Sequence, residues 1–361
     1  MKTIIYTILI VFICVCMIKP KHAYSSPRLD VSAEHAVLMD AQSGRVLFEK
    51  DSYTPSLIAS TTKILTAIIA IESGKMDEEV IVSESAIRTE GSSIYLTEGE
   101  KIKLEDLVYG LMLRSGNDSA VAIAEHVGGS IEGFTYLMNE KAAWLGMESS
   151  NFENPHGLDG ENHVSSAYDL GLLMAYSMKN DTFREVTGST SYKSENRTYS
   201  WQNKNKLLTM LYDHTTGGKT GFTKRAGRTL VSSAEKDGME LIAVTLNAPS
   251  DWNDHERMYE WGFENFETYK LQEEGYTKVH GKRSYLPKDI HLPLTQQEKN
   301  QITAVYEPNT LDDSYEGVRA YRLNDQLVAE SFVLSKRPVQ PWLPSSLSFF
   351  RRMLGVEPWS T

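Results

Sequence analysis

Predicted strands lie at both ends of a long stretch whose interior is predicted to be helical. Four short apolar runs are typical of strands, and each pair of runs flanks a turn that contains a glycine. These runs are residues 36–40 and 45–49 around Gly44, and residues 229–234 and 240–246 around Gly238. We therefore expect one sheet, built from strands that are distant in the chain and covered by helices. The sequence thus predicts an α/β (α+β) fold.

The residues between these strands repeat apolar side chains at helical spacing. In the first such segment Leu65, Ile68 and Ile69 share one helical face, and Gly74 is a natural C-terminal stop. The same pattern predicts helices over residues 60–72, 104–113, 119–127, 134–145, 167–178 and 255–266.

The character of the chain changes after about Tyr269. Short β-like runs such as residues 304–306, 318–321 and 332–334 alternate with Pro, Asn and Asp turns. We therefore expect a large domain over residues 26–268 and a small β-rich C-terminal domain over residues 271–336.

The N-terminus has the features of an export signal. Lys2 is followed by an almost unbroken apolar run over residues 4–18, and Ala23-Tyr24-Ser25 fits a cleavage site after Ser25. Cleavage after Ala23 and a permanent anchor are the alternatives, although the run is shorter than the roughly 20 residues of a spanning helix. With residues 1–25 removed as a signal peptide, Cys14 and Cys16 are lost, and the exported protein would contain no disulfide.

The other end of the chain is predicted to contact a membrane surface. Leu347, Phe350 and Leu354 fall on one face of a potential helix over residues 342–359, with Arg351 and Arg352 beside that face. The alternative is an ordinary helix that packs on the second domain. The formal net charge of −11 argues against nucleic acid as a partner, because phosphate binding needs a basic face.

Ser60-Thr61-Thr62-Lys63 places a hydroxyl and an amine three residues apart, on one face of a helix that begins here. A serine is a poor nucleophile until a base takes its proton. A lysine becomes that base when burial or a neighbouring cation lowers its pKa. The alternative is that Ser60 only caps the helix. A second S-x-x-K match begins at Ser233, at a strand end, and is treated as coincidental.

Two further motifs follow in the chain. Ser115-Gly116-Asn117 lies between two predicted helices and offers a hydroxyl and an amide, or alternatively only a turn with a cap. Lys219-Thr220-Gly221 offers a cation and a hydroxyl to an anion, and its glycine lets a ligand approach a strand backbone closely. The alternative for this motif is a hairpin turn with a solvated lysine.

The ordered set S-x-x-K, S-x-N and K-T-G is the signature of penicillin-binding proteins and class A β-lactamases. Over residues 36–266 the chain resembles the D-alanyl-D-alanine carboxypeptidase family of low-molecular-mass penicillin-binding proteins. The segments that carry the resemblance are IASTTK (58–63), LMLRSGND (111–118), NPHGLD (154–159) and GKTGFT (218–223). Residues 88–92 and 203–211 look especially similar to the sporulation-specific member of spore-forming bacteria.

The resemblance implies a penicillin-binding-protein/serine β-lactamase-like sheet with a helical subdomain, and an exported enzyme at the extracytoplasmic face of the membrane, with association with the forespore as a further possibility. Its substrates would be peptidoglycan stem peptides, and β-lactam antibiotics would be covalent inhibitors. Neither a metal nor an organic cofactor is implied.

By the same resemblance, Ser60 is the nucleophile, Lys63 the general base and Ser115 the proton donor to the departing D-alanine. Asn117 would hold the peptide backbone, and Lys219 would keep Lys63 neutral. The remaining substrate-binding residues are Thr220 on the terminal carboxylate, Gly221 in the same motif, and Phe222, whose backbone N–H would form an oxyanion hole with that of Ser60.

Three alternatives differ in activity. A β-lactamase would need a deacylating glutamate followed by an asparagine, yet Glu161 is followed four residues later by Ser165. A non-catalytic penicillin-sensing or wall-binding protein and an endopeptidase that acts on cross-links are the others. His156 and His163 suggest a metal site, but their spacing is not that of helical ligands, and we expect them to structure a loop.

Overall fold

The computed structural model describes residues 29–195, 197–310 and 315–338. The predicted signal peptide (1–25) and the predicted amphipathic helix (342–359) lie outside the described residues. A 3₁₀ turn, Ala59–Thr62, precedes the first helix. The helices are α1 Lys63–Glu72, α2 Glu84–Ile87, α3 Leu104–Arg114, α4 Asn117–Gly128, α5 Ile131–Leu145, α6 Ala167–Ser177, α7 Asp181–Gly188, α8 Asp251–Asn265 and α9 Gln296–Lys299.

Among the described residues up to Leu246, the strands form one large sheet and two small ribbons. They are β1 His35–Asp40, β2 Val46–Lys50, β3 Glu79–Ile81, β4 Lys101–Lys103, β5 Ser191–Tyr192, β6 Trp201–Gln202, β7 Thr215–Thr223, β8 Gly227–Lys236 and β9 Met239–Leu246. The large sheet has the order β2-β1-β9-β8-β7, and its neighbours are all antiparallel. The pairing of β1 with β9 confirms the predicted sheet of strands that are distant in the chain.

Helices cover both faces of this sheet, which explains why its central strands are apolar on both sides. Leu38 and Met39 are neighbours in β1 and therefore point to opposite faces. Leu38 packs against Gly262 of α8, and Met39 packs against Gly171 of α6. The core on the α6 side continues into α1, α3, α4 and α5, so the helical part of the chain and the sheet share one hydrophobic cluster.

Beyond α8 the chain is mainly strand. The remaining strands are β10 Glu267–Gln272, β11 Gly275–Val279, β12 Lys282–Leu286, β13 Ile290–Leu294, β14 Thr303–Pro308, β15 Gly317–Leu323 and β16 Gln326–Val333. They pair as β10-β13, β11-β12 and β14-β15-β16. Strand β10 runs across the predicted boundary between residues 268 and 271, so no break in secondary structure marks that boundary. The division into two domains stays a prediction.

Local details differ from the sequence patterns in several places. The α-helix at the first motif begins at Lys63, because residues 59–62 adopt the tighter 3₁₀ geometry. The helix predicted over residues 255–266 begins at Asp251. Helices α2, α7 and α9 have no counterpart among the predicted helices, although Asn180 caps α7 through a hydrogen bond from the Phe183 N–H. In the part of the chain that the structure describes, no helix has the length and apolar character needed to cross a membrane.

Candidate active site

Ser60 lies in the 3₁₀ turn between the sheet and α1. The N-cap residue of the 3₁₀ turn is Ile58, and that of α1 is Thr62. Ser60 lies between them and occupies neither position, so the interpretation of Ser60 as a simple cap is wrong. The residue before it, Ala59, has the left-handed φ of +49°, which is uncommon for a residue with a side chain. Thr229 of β8 donates to the Ile58 carbonyl at 3.0 Å, so the turn is tied directly to the sheet.

Lys63 is fully buried at the start of α1, directly behind Ser60. Among the described residues, three oxygen atoms lie within hydrogen-bond distance of its Nζ. Ser60 Oγ is 3.0 Å away and Asn117 Oδ1 is 2.7 Å away, and the third is the backbone carbonyl oxygen of His156. The carbonyl oxygens of Asn117 and His156 can only accept a hydrogen bond, whereas the Ser60 hydroxyl can also donate one.

Burial lowers the pKa of Lys63 well below its ordinary value. The positive charges of Lys219 and Lys204 lower this pKa further, and Asp118 opposes them. Burial and like charge both disfavour the ammonium form, whereas the opposite charge of Asp118 favours it. A neutral Lys63 has two N–H groups for the two carbonyl acceptors, which leaves its lone pair for the Ser60 hydroxyl.

Ser115 and Asn117 lie at the junction of α3 and α4. Ser115 is buried and ends α3 with a left-handed φ of +64°, and Asn117 begins α4. Besides accepting from Lys63, Asn117 donates its side-chain N–H to the Glu90 carbonyl, and its backbone N–H donates to Ser92 at 2.7 Å. The structure thus connects the first and second motifs directly and attaches residues 90–92 to them.

The third motif lies within β7, the edge strand of the sheet. Lys219 is only 2% exposed and donates to the Thr220 carbonyl at 2.8 Å, so the alternative of a turn with a solvated lysine is wrong. Burial, with a contribution from Lys204, lowers the pKa of Lys219 to about 7. Phe222 is 65% exposed, and Thr220 and Gly221 are partly exposed.

Gly221 is the point at which β7 meets the nucleophile turn. A Cβ at this position would lie 2.3 Å from Thr229 Oγ1 and 2.9 Å from the backbone nitrogen of Ser60. A residue with a side chain would therefore force the two segments apart. The absence of a Cβ allows the strand backbone to approach the Ser60 nitrogen closely. The close approach of a ligand that the K-T-G motif predicts stays a prediction.

The loop over residues 153–163 packs against the other side of the turn. It supplies the His156 carbonyl to Lys63, and a Cβ at Gly157 would lie 2.0 Å from the Ala59 carbonyl oxygen. His163 is buried and lies 2.8 Å from Thr62 Oγ1 through its Nε2. Burial lowers the pKa of His156 to about 3 and that of His163 to about 4.

Lys204 is a site residue that lies outside all three sequence motifs, although it belongs to the segment 203–211 that carries part of the family resemblance. It is exposed, its Nζ donates to Ser92 Oγ at 3.3 Å, and its positive charge lowers the pKa of both Lys63 and Lys219. Its backbone N–H donates to the Leu113 carbonyl, and this long-range contact places it beside the second motif. The coincidental match at Ser233 lies in β8, fully buried, with its hydroxyl 2.7 Å from Thr216.

Comparisons with known proteins agree with this arrangement. A family model described as D-alanyl-D-alanine carboxypeptidase matches residues 21–250. The chain is 36% identical to the D-alanyl-D-alanine carboxypeptidase DacF of Bacillus subtilis over 283 residues, which are 75% of this chain and 72% of that protein.

Solved structures are similar over a larger share of the chain. Penicillin binding protein 5 from Haemophilus influenzae has a TM-score of 0.73 and 27% identity, with 84% of this chain and 96% of that chain covered. Penicillin binding protein 6B from Escherichia coli has a TM-score of 0.70 and 30% identity, with 87% and 98% covered. The predicted fold class and the family resemblance are both confirmed.

Proposed function

The chain belongs to the D-alanyl-D-alanine carboxypeptidase family, and we propose that it removes the terminal D-alanine of peptidoglycan pentapeptides through an acyl-enzyme on Ser60. The observation that carries this proposal is the environment of Lys63. Its Nζ is 3.0 Å from Ser60 Oγ, and its two other partners are carbonyl oxygens. A neutral amine in this position has one lone pair, directed at the proton that must leave Ser60.

The reaction then has two halves. Ser60 Oγ attacks the carbonyl carbon of the penultimate D-alanine while Lys63 takes the hydroxyl proton. The C–N bond to the last D-alanine breaks, and a proton that returns through Ser115 leaves with its amine. Water next cleaves the ester on Ser60, which releases the shortened peptide and restores the hydroxyl.

The edge of β7 supports the binding part of this proposal. Within the described residues β7 pairs with β8 on one side only. At Gly218 its other edge hydrogen-bonds the Thr187 hydroxyl, and we infer that the edge beyond this point, as far as Phe222, binds an extended peptide. The backbone N–H groups of Ser60 and Phe222 would form the oxyanion hole, where the loss of one donor typically costs about 3–4 kcal/mol. Thr220 would contact the terminal carboxylate, with Lys219 as the neighbouring cation, and Asn117 would hold the substrate backbone.

β-Lactam antibiotics would acylate the same serine. A β-lactamase must also hydrolyse that ester quickly, and its base would have to be Glu161 in this chain. Glu161 is exposed on the loop, and Ser165 is buried with its hydroxyl 2.7 Å from Ser150. These positions favour a carboxypeptidase whose penicilloyl-enzyme lasts for hours over a lactamase whose intermediate lasts for milliseconds.

The chemistry of the substrate places the proposed activity outside the cytoplasm, where peptidoglycan lies. Export would depend on residues 1–25, and attachment to the extracytoplasmic membrane surface on residues 342–359. Association with the forespore and a role in sporulation are finer predictions that rest on the sequence resemblance.

Mass spectrometry of pentapeptide-bearing muropeptides tests the proposal. After incubation with the purified exported chain, each stem peptide should lose one D-alanine. Products cut at a cross-link would instead indicate an endopeptidase. Wall binding without any cleavage would indicate the non-catalytic alternative and would overturn the proposal.

A further inference from the structure

The peptide bond between Ala59 and Ser60 lies between β7 and the loop over residues 153–163. Its N–H belongs to Ser60, and a Cβ at Gly221 of β7 would lie 2.9 Å from the Ser60 nitrogen. Its carbonyl belongs to Ala59 and points to the opposite side, because a trans peptide is planar with C=O and N–H opposed. Whatever fixes the Ala59 carbonyl therefore also fixes the direction of the Ser60 N–H.

A side-chain hydroxyl holds that carbonyl. Thr62 Oγ1 donates to the Ala59 carbonyl oxygen at 2.9 Å, and the same Oγ1 lies 2.8 Å from His163 Nε2. Both residues are buried, with Thr62 at 0% and His163 at 1% exposure. The neighbouring carbonyl of Ile58 has separate partners, Thr61 at 2.6 Å and Thr229 at 3.0 Å.

Glu153, His163, Thr62 and Ala59 are connected by a series of hydrogen bonds, and the backbone N–H of Glu153 at one end determines the direction of each bond. The backbone N–H of Glu153 can only donate, and it lies 3.0 Å from His163 Nδ1. Nδ1 is therefore the acceptor of the neutral ring, and Nε2 carries the proton. Nε2–H then donates to Thr62 Oγ1, and the Thr62 proton is directed to Ala59. Burial keeps the His163 pKa at about 4, so this tautomer persists at neutral pH.

The Ala59 backbone does not adopt this geometry by preference. Its φ of +49° belongs to the left-handed region, which disfavours a residue with a Cβ, and such conformations persist only where the surroundings enforce them. The hydrogen bonds from Glu153 to His163 and from His163 to Thr62 supply that enforcement at the peptide whose nitrogen lies beside Gly221 of β7.

We propose that His163 is a positioning residue that acts through Thr62 to hold the Ala59 carbonyl and thereby aims the Ser60 N–H into the oxyanion hole. This inference rests on the proposed function, because it assumes that Ser60 is the nucleophile. Loss of either link leaves Lys63 in place beside Ser60, but lets the 59–60 peptide rotate away from the orientation in which its N–H stabilises an oxyanion. The effect should fall on the chemical step rather than on ground-state binding.

The test compares the acylation of the full exported chain by a fluorescent penicillin across matched variants. Thr62→Val removes the hydroxyl, and His163→Asn keeps an acceptor for Glu153 but does not reach Thr62. Thr66→Val is the control, since Thr66 is equally buried one turn further along α1 and donates at 2.7 Å to Pro155 of the same loop.

We expect Thr62→Val and His163→Asn each to slow acylation by about 10- to 100-fold at saturating penicillin, less than the complete loss of an oxyanion donor. The penicillin concentration that gives half of the maximal acylation rate should change by less than about threefold, since ground-state binding is unchanged. Because the two residues act in series, the double variant should be no slower than about the slower single variant. Thr62→Ser should recover most of the rate, and Thr66→Val should lower the melting temperature without slowing acylation.

Three results would overturn the inference. The first is that Thr62→Val is acylated as fast as Thr66→Val. The second is that the rate losses of Thr62→Val and His163→Asn multiply in the double variant. The third is that Thr62→Val and His163→Asn both lose cooperative melting while Thr66→Val keeps it. The last result would mean that the link supports only the fold. If the wild type itself fails to acylate at Ser60, the proposed function fails independently of this inference.

Discussion

Lys63 Nζ lies 3.0 Å from Ser60 Oγ, and its remaining near partners in the described residues are carbonyl oxygens of Asn117 and His156. An amine with two carbonyl acceptors and one hydroxyl neighbour is built to be neutral and to receive a proton from that hydroxyl. The transfer of the Ser60 proton depends on this short distance between Lys63 Nζ and Ser60 Oγ.

Replacing Lys63 should abolish acylation. Lys63→Met keeps much of the side-chain volume but removes the base, and Lys63→Arg keeps a cation that stays protonated. Because a general base typically contributes about 10²- to 10⁴-fold, both variants should lose at least about a hundredfold in acylation rate. Stopped-flow fluorescence with a labelled penicillin measures this rate, and circular dichroism checks the fold. A folded variant that reacts within tenfold of wild type, about 1.4 kcal/mol of barrier, would exclude Lys63 as the base.

The pH dependence of kcat/KM should reflect two lysines, one of which must be neutral and the other protonated. Lys63 must be neutral to act, so kcat/KM should rise as pH increases through its lowered pKa. Lys219 must be protonated to attract the carboxylate, so kcat/KM should fall as pH rises through about 7. An anionic substrate favours the charged form of Lys219, so the falling limb of kcat should lie at higher pH than that of kcat/KM.

The variant Lys219→Ala separates these two contributions. Without the cation the falling limb should disappear, and the rising limb should move to higher pH, because Lys219 helps to lower the pKa of Lys63. A variant that keeps the falling limb near pH 7 would assign that limb to another group.

Gly157→Ala should damage both stability and acylation. A Cβ there would meet the Ala59 carbonyl oxygen at 2.0 Å, in a backbone with φ of +85°. Gly74→Ala is the matched control, since Gly74 has φ of +73° but open space around it. The control should cost about 1–2 kcal/mol of unfolding free energy and leave acylation intact. Gly157→Ala should cost more in urea denaturation and slow acylation at least about tenfold. Equal costs and equal rates in the two variants would show that the loop does not hold the turn.

The sequence allowed the sheet and the three motifs to be predicted, because both are encoded in local patterns. Short apolar runs on either side of a glycine-containing turn predict β1, β2, β8 and β9, and the structure pairs them in one sheet. Ser60, Lys63 and Asn117 were selected from short motifs, and the structure brings their side chains within hydrogen-bond distance.

What the sequence could not predict is supplied by the backbone or by long-range packing. The His156 carbonyl is a main-chain group that any residue carries, so no pattern identifies it as a partner of Lys63. Lys204 acts through charge at a distance, and its place depends on the long-range hydrogen bond from its backbone N–H to the Leu113 carbonyl of α3. The left-handed backbone conformation of Ala59 could not be predicted either, because it is enforced by surrounding contacts such as the hydrogen bond from Thr62.

Deleting residues 342–361 tests the predicted membrane helix, which lies outside the described residues. Burial of one large apolar side chain contributes roughly 1.5–3 kcal/mol, so Leu347, Phe350 and Leu354 together would hold an enzyme at a membrane surface even at partial depth. The truncated protein should move to the soluble fraction with unchanged activity on soluble peptide. Sedimentation of the truncated protein with membranes would identify the N-terminal segment as the anchor. A soluble but misfolded product would mean that the tail packs on the second domain.

The position of the covalent bond is the most direct test of the mechanism. Wild type, Ser60→Ala and Ser233→Ala are each incubated with penicillin, digested, and mapped by tandem mass spectrometry. Wild type and Ser233→Ala should carry the penicilloyl group on the peptide that contains Ser60, and Ser60→Ala should carry none. A modified Ser233 peptide, or a Ser60→Ala protein that is still labelled, would contradict the assignment of Ser60 as the nucleophile.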